Sequence, residues 1–298
     1  MRIDLHTHTD VSDGTTSPTQ LVRDAAAAGL DVLGLTDHDT ARGWDEAAAA
    51  AREEGVALVR GMELSTRLDD GRGVHLLAYL PDPTTPGMVA ELEHVLGGRG
   101  GRVPEMVARL NEHGMAITVE DVAHQAGDTA ALGRPHVADA LVAAGYVAHR
   151  DDAFADWLMA GKPAYVGRYA APITRMIGLV EEAGGVTVIA HPWGRHDPSS
   201  LPAAALAELR DAGLGGIEVD HQDHTPDQRR ELRAIADDLD LVRTGSSDHH
   251  GEGKRDHDLG CNLTEPAQLE RLLARAAAAA ARSGATVPPG PFGDPSGR

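Results

Sequence analysis

The sequence predicts an α/β fold, either a βα barrel or a closely related layered sheet. Short apolar runs that end in polar residues alternate with alanine-rich helical patterns, which is the signature of βα units. Seven such runs predict strands at residues 2–6, 31–36, 56–63, 74–80, 186–190, 216–219 and 241–244. Helical patterns lie between them at residues 18–28, 44–54, 173–183, 202–212 and 226–239. An open doubly wound sheet is the alternative architecture.

The strand and helix alternation stops between residues 98 and 169. Helical patterns follow one another there without strands, at residues 103–113, 119–125, 136–144 and 152–160. We therefore predict a barrel domain formed by residues 1–97 and 170–285, with an inserted helical subdomain at 98–169. An alanine-rich helix at 266–282 ends the barrel domain, and the Pro- and Gly-rich residues 286–298 are expected to form a disordered tail.

The composition restricts the partners that the chain can have. Its 46 acidic residues against 27 lysines and arginines give a formal charge of −19, so the surface should repel polyanions and stable binding of duplex DNA is not expected. No run of 18 apolar residues predicts a membrane span, and the first residues lack the apolar stretch of a signal peptide. The one cysteine, Cys261, cannot form an internal disulfide. We expect a cytoplasmic protein without membrane partners.

Histidine and acidic residues recur where predicted strands end. Because the carboxyl ends of barrel strands face one mouth, these side chains should converge there. His75 lies near the start of its strand, but the turn at residues 69–71 predicts a hairpin that returns it to the end of the Glu63 strand. The candidate metal ligands are His6, His8, Asp13, His38, Glu63, His75, His191, Asp248 and His250.

The number and type of these side chains predict a multinuclear metal centre. Residues two apart in an extended segment point to the same side, so His6 and His8 can hold one ion together. Mixed imidazole and carboxylate ligands suit manganese, zinc or iron, and nine ligands imply two or three divalent ions. Each residue alone could be a core histidine or a helix cap, but all of them together without metal would leave costly buried charges. Four more histidines lack ligand spacing and are interpreted as supporting or surface groups: His221, His224, His249 and His257.

Six motifs make the sequence resemble the PHP family, the polymerase and histidinol phosphatase family of metal-dependent phosphoesterases. They occupy residues 4–8, 13–14, 36–39, 61–63, 190–192 and 247–251. The resemblance implies a distorted seven-stranded (β/α)7 TIM-like barrel with an inserted helical subdomain. It also implies a centre of two or three ions and assigns ligand roles to the nine candidates.

Two further motifs resemble one branch of that family. Gly-Arg-Pro-His at residues 133–136 and Pro-Ala-Tyr-Val at 163–166 are similar to the branch of nucleoside 3',5'-bisphosphate phosphatases and 5'-3' exoribonucleases. The resemblance implies that the insertion binds substrate, with its phosphate held by Arg99, Arg102 and Arg134. Arginine suits this role because its planar fork meets two phosphate oxygens at once. His136 is a fourth candidate, and Lys162 and Arg168 rank below it.

The expected activity is hydrolysis of a phosphomonoester by metal-activated water. The substrate would be a small phosphorylated molecule, with a nucleoside 3',5'-bisphosphate or a short RNA as the leading candidates. Glu63 is expected to bridge ions, and His38 to bind an ion or contact phosphate. Asp39 and His250 are candidate proton carriers.

Three other functions compete with this one. A histidinol-phosphate phosphatase would use the same metal chemistry on an amino alcohol. A non-catalytic, metal-stabilised interaction module would keep the barrel without the reaction. An amidohydrolase would use metals at a barrel mouth to hydrolyse a C–N bond, but it would not need the arginines.

Overall fold

In the computed structural model, residues 1–127, 129, 131–194 and 198–292 are described. The strands are β1 (Ile3–Thr7), β2 (Val32–Leu35), β3 (Ala57–Arg67), β4 (Gly73–Tyr79), β5 (Ala171–Pro172), β6 (Val186–Ile189), β7 (Gly216–Asp220) and β8 (Val242–Gly245). The helices of the barrel are α1 (Pro18–Ala27), α2 (Trp44–Glu54), α3 (Pro86–Gly100), α8 (Ile173–Glu182), α9 (Ala203–Asp211), α10 (Pro226–Asp238) and α11 (Pro266–Ser283). All seven predicted strands are present, and the two-residue β5 was not predicted.

The seven long strands form a nearly closed barrel in the order β1-β2-β3-β4-β6-β7-β8, and β5 pairs with β3. Closure comes from the segment that follows β8. The amide of Asp248 donates to the carbonyl of His6, and the amide of His8 donates to the carbonyl of His249, both at 2.9 Å. These bonds exclude the open doubly wound sheet and confirm the predicted barrel. They also join two ligand-bearing segments directly.

One strand runs against the others, and it determines where the insertion lies. Strand β4 pairs antiparallel with both β3 and β6, so the hairpin that was predicted from the turn at residues 69–71 is confirmed. His75 lies opposite Ser65 at the mouth end, and Tyr79 lies opposite Gly61 at the far end. Because β4 ends at the far end of the barrel, the following helix α3 leads back to the mouth and delivers Arg99 in its last turn.

Helix α3 was not predicted, because its last turn contains Gly97, Gly98 and Gly100. Glycine is a weak helix former, so this segment resembles a loop. Tertiary packing overrides that preference. A Cβ on Gly98 would lie 3.2 Å from the Cβ of Tyr169, so the absent side chain lets the helix pack against the segment that returns to the barrel.

The residues after α3 build four further helices with a hydrophobic cluster of their own. They are α4 (Val103–Glu112), α5 (Val119–Ala126), α6 (Arg134–Ala143) and the short α7 (Arg150–Ala153), which continues into a π-helical turn at Phe154–Leu158. The cluster includes Met106, Leu110, Val137 and Leu141 and is separate from the two clusters of the barrel. The four helices lie within residues 98–169, and the predicted boundary at residue 98 falls inside α3. The division into a barrel domain and an inserted subdomain stays a prediction.

Two further features bear on sequence predictions. Val287 approaches Gly184 of the barrel, so the expected tail begins with a packed segment, while residues 293–298 of that prediction lie outside the described residues. Among the described residues, no helix combines the length and the apolar character that a membrane crossing requires.

Candidate metal centre and phosphate site

The nine predicted ligands meet at the barrel mouth. The side chains of eight are nine-tenths or more buried, and that of His75 is 15% exposed. Their donor atoms form three adjoining groups. The first is His6, His8, Glu63 and Asp248, the second is His8, Asp13, His38 and His250, and the third is His38, Glu63 and His75, with His191 beside it.

The first group has the spacing of ligands around one ion. His6 Nε2 and His8 Nε2 lie 3.0 Å apart, and Glu63 Oε2 lies 3.4 Å and 3.1 Å from them. Asp248 Oδ1 lies 3.4 Å from both nitrogens and has no hydrogen-bond partner although it is buried. Ligands at about 2.1 Å from a tetrahedral ion are about 3.4 Å apart, so this donor set fits a divalent metal.

The second group is centred on Asp13. Its Oδ1 lies 3.4 Å from His250 Nε2 and its Oδ2 lies 3.5 Å from His38 Nε2. His250 donates through Nδ1 to the carbonyl of Asp248 at 2.8 Å, which leaves the Nε2 lone pair directed at Asp13. This pattern, with one ring nitrogen anchored and the other available, is usual for metal-ligating histidines.

Glu63 contributes to two groups with different oxygens. Oε2 faces the His6 and His8 pair, whereas Oε1 lies 2.6 Å from His75 Nδ1 and 3.2 Å from His191 Nε2. This geometry suits the bridging role that was predicted for Glu63.

The electrostatics of the mouth require positive charge. Burial opposes the charged ring of His6, but the carboxylates of Asp248, Glu63 and Glu218 outweigh it and raise the pKa of His6 well above its usual value. Burial also opposes the ionised form of Glu63, yet the rings of His75, His38 and His6 hold the pKa of Glu63 well below its usual range. The carboxylates therefore stay ionised, and a divalent ion can replace the protons that the imidazoles hold.

Three ligand-bearing turns have unusual backbone conformations. Asp39, His191 and Asp248 have φ values of 55°, 29° and 54°, in the left-handed region that non-glycine residues seldom adopt. Such strain persists only where the surroundings impose it, and it clusters at functional sites.

Two residues that the sequence analysis did not select hold the ligands in place. Glu218 is fully buried, faces His6 Nδ1 at 3.3 Å and accepts the amide of His191 at 2.8 Å. Lys254 donates to Asp248 Oδ2 at 2.6 Å, so only Oδ1 faces the first group. An acidic residue inside the apolar run of β7 was the available signal for Glu218. Lys254 lies in an irregular glycine-rich turn that gave no such signal.

The insertion binds the loop that carries Asp13. His136 accepts the amide of Gly133 at Nδ1 and donates from Nε2 to the carbonyl of Ser12, each at 3.0 Å. Arg150 donates to the carbonyl of Asp13 at 2.9 Å while Asp139 holds its other donors. Both ring nitrogens of His136 are therefore engaged in protein contacts, which favours an anchoring role over the predicted phosphate contact.

Asp39 connects the metal mouth to the predicted phosphate-binding arginines. Its carboxylate accepts the amide and hydroxyl of Ser65, both at 2.7 Å, and Nε of Arg99 at 2.9 Å. Arg99 and Arg168 also donate to Ser65 Oγ, at 3.1 Å and 2.6 Å. These contacts favour an anchoring role for Asp39 over the predicted role as proton carrier.

Four arginines gather beside this link: Arg99, Arg102, Arg134 and Arg168. Burial and the three neighbouring guanidinium groups lower the pKa of Arg102 to about 8. Burial and Arg99 lower the pKa of Arg168 to about 9. Because guanidinium groups lose their protons very reluctantly, the cluster stays charged and its members repel one another. Arg168, ranked low from the sequence, belongs to it, whereas Lys162 is exposed.

Two donors of this cluster are unsatisfied. Arg102 Nε and Arg168 Nη1 are buried without a hydrogen-bond partner, and each such group costs about 1–3 kcal/mol. Arg134 donates to the carbonyl of Leu158 at 3.3 Å and lies over the rings of Phe154 and Tyr165. An anion bound among these arginines would satisfy the free donors and relieve the repulsion.

Comparisons with known proteins agree with this architecture. The family model of the PHP domain matches residues 4–96. The chain is 35% identical over 260 residues to a 3',5'-nucleoside bisphosphate phosphatase of Chromobacterium violaceum, covering 87% of this chain and 90% of that protein. It is 36% identical over 249 residues to a 5'-3' exoribonuclease of Haemophilus influenzae, covering 84% and 90%.

Two solved structures share the fold of this chain. A chain from Bifidobacterium adolescentis, described as a candidate metal-dependent phosphoesterase, matches with a TM-score of 0.86 and 40% identity, covering 92% of this chain and 96% of that one. An amidohydrolase from Chromobacterium violaceum with bound sulfate and no metal matches with a TM-score of 0.84 and 33% identity, covering 92% and 97%.

The barrel, the buried ligand cluster at its mouth and the adjoining arginines define a metal-dependent phosphoesterase. The chain belongs to the PHP family, as the motifs in its sequence indicated.

We predict that Glu63→Gln reduces the content of bound divalent metal. The amide keeps the shape of the side chain but loses the charge that serves two ligand groups, so affinity at both should fall. Metal content measured after dialysis against a manganese buffer checks this, with the exposed Glu53→Gln as the matched control. A metal content in Glu63→Gln equal to that of the wild type would contradict the bridging role.

Proposed function

We propose that this enzyme hydrolyses a phosphomonoester of a nucleoside 3',5'-bisphosphate or of a short oligonucleotide. The observation that carries the proposal is the buried arginine cluster with free donors at Arg102 and Arg168, next to the metal mouth. One phosphate would bind at the mouth and a second among the arginines. The names of the relatives from Chromobacterium violaceum and Haemophilus influenzae agree with such substrates.

In this proposal the nine ligands hold two or three divalent ions of manganese, zinc or iron, which would position the phosphate and activate the attacking water. The protein supplies the rest of the site. Asp39 and Ser65 hold Arg99 and Arg168 in place, and Glu218 and Lys254 fix the orientation of His6 and Asp248. The insertion, residues 98–169, contributes Arg99, Arg102, Arg134 and Arg168. It also holds the Asp13 loop through hydrogen bonds to the carbonyls of Ser12 and Asp13.

The charge of the arginine cluster separates this proposal from its main alternative. Histidinol phosphate carries one phosphate and an ammonium group, so its other end would meet a cluster of like charge. A bisphosphate or an oligonucleotide brings a second anion to the same place. The full set of nine ligand side chains, together with relatives that are named as a phosphatase and an exoribonuclease, argues against a non-catalytic module.

Release of phosphate from different substrates tests the proposal directly. With the manganese-loaded protein, we expect the highest kcat/KM for adenosine 3',5'-bisphosphate or a short 5'-phosphorylated RNA, and a much lower value for histidinol phosphate. Zinc- and iron-loaded protein should keep the same order of substrates. A preference for histidinol phosphate, or no phosphate release from any of them with metal bound, would overturn it.

Substitution of one arginine tests the second phosphate site. Arg102→Gln should raise KM for the bisphosphate roughly 10- to 100-fold, since a charged hydrogen bond is worth about 1.5–3 kcal/mol. Hydrolysis of an aryl monophosphate, which lacks the second phosphate, should change little. The exposed Arg52→Gln is the control. An equal loss on both substrates would show that Arg102 does not recognise the second anion.

A further inference from the structure

A separate group of possible ligands lies beside the mouth and shares no residue with the nine. His221 and Asp223 follow strand β7, and His257 follows strand β8. Each can offer one ligand atom, and these atoms lie within 4.8 Å of one another. From the sequence, both histidines were interpreted as supporting or surface groups, because nothing in their spacing brings two separate loops together.

The ring of His257 is held with one nitrogen available. Its Nδ1 lies 2.6 Å from the carbonyl of Arg255, so Nδ1 carries a proton, and in the neutral ring Nε2 carries the lone pair. The residue is 6% exposed, and Nε2 has no hydrogen-bond partner. It faces Asp223 Oδ1 at 3.5 Å. Asp223 itself is partly exposed, and an imidazole lone pair that faces a carboxylate oxygen is favoured when a positive charge lies between the two acceptors.

His221 is oriented in the complementary way. Its Nδ1 accepts the amide of Asp223 at 3.1 Å, so the ring proton is on Nε2, which points at Asp248 Oδ2 at 3.5 Å. Nδ1 lies 3.9 Å from Asp223 Oδ2. A histidine that directs one N–H at a carboxylate and the other nitrogen at a ligand group has the arrangement typical of metal-binding histidines. An ion at this site would bind the lone pair of His221 Nδ1, which now accepts the hydrogen bond from the Asp223 amide.

The carboxylate of Asp223 thus lies between two imidazole nitrogens, 3.5 Å and 3.9 Å away. The 3.5 Å distance joins His257 Nε2 to Oδ1, and the 3.9 Å distance joins His221 Nδ1 to Oδ2. Both are long for hydrogen bonds, and the shorter one is close to the separation of about 3.4 Å between ligands of a tetrahedral zinc ion. The nearest competing cation, Lys254, lies 3.9 Å from Asp223 but bonds to Asp248 at 2.6 Å. Lys254 is therefore paired with Asp248 of the metal centre and not with Asp223.

We propose that His221, Asp223 and His257 form an auxiliary site for a divalent transition metal such as Zn²⁺. Two imidazoles and one carboxylate suit zinc and leave a coordination position for water. The ion would tie the loop after β7 to the loop after β8, and through His221 it would support Asp248.

Zinc binding to the full-length protein tests the site. After removal of metal with a chelator, the wild type should bind one more equivalent of Zn²⁺ in calorimetric titration than Asp223→Asn or His257→Gln. Asp223 is 29% exposed, so its amide variant should fold, and its thermal unfolding verifies this. The exposed His124→Gln is the matched control and should keep the full stoichiometry.

Two additional measurements separate this site from the mouth. Glu63→Gln should lose ions at the mouth and still bind the auxiliary equivalent. In zinc-loaded crystals, anomalous diffraction should show a peak about 2.0–2.2 Å from His257 Nε2. Equal zinc stoichiometry in the wild type and both variants, or no peak between His257 and Asp223, would mean that a proton alone joins them and would overturn the proposal.

Discussion

The structure depends on one electrostatic constraint: the carboxylates and imidazoles that are buried at the barrel mouth need cations. Glu63 and Asp248 are almost completely buried and remain ionised, and Asp248 Oδ1 has no hydrogen-bond partner. Burying such charges without compensation costs several kcal/mol each. The hydrogen bonds that close the barrel, between the Asp248 segment and the segment of His6 and His8, lie next to these charges. We therefore expect metal binding and barrel closure to be coupled.

The same constraint explains how the insertion contributes. The antiparallel β4 ends at the far end of the barrel, so α3 returns to the mouth and carries Arg99 there. The insertion supplies the guanidinium groups that lie beside the mouth. Its His136 and Arg150 bind the Asp13 loop. In a chain of net charge −19, a buried arginine cluster marks the place where an anion is expected.

Much of this architecture could be predicted from the sequence. The strands followed from apolar runs, and the nine ligand candidates from polar residues at strand ends, because the barrel brings those ends together. Helix α3 was missed because its last turn is rich in glycine and because Gly98 packs against Tyr169, a contact distant in sequence. Glu218 had a signal, an acidic residue inside an apolar run, that was not used. Lys254 and the pairing of His257 with Asp223 were missed for a reason related to that of α3. Their partners come from other loops, and spacing within one segment cannot show this.

Thermal unfolding with and without divalent metal tests the central claim most directly. At pH 7.5, removal of manganese by a chelator should lower Tm by roughly 10 °C. An ion present at about 1,000 times its Kd contributes about 4 kcal/mol, and each kcal/mol shifts the Tm of a chain this size by about 2–4 °C. Readdition of manganese should restore Tm. A Tm that does not respond to metal, in a protein whose mouth ligands are intact, would contradict the account.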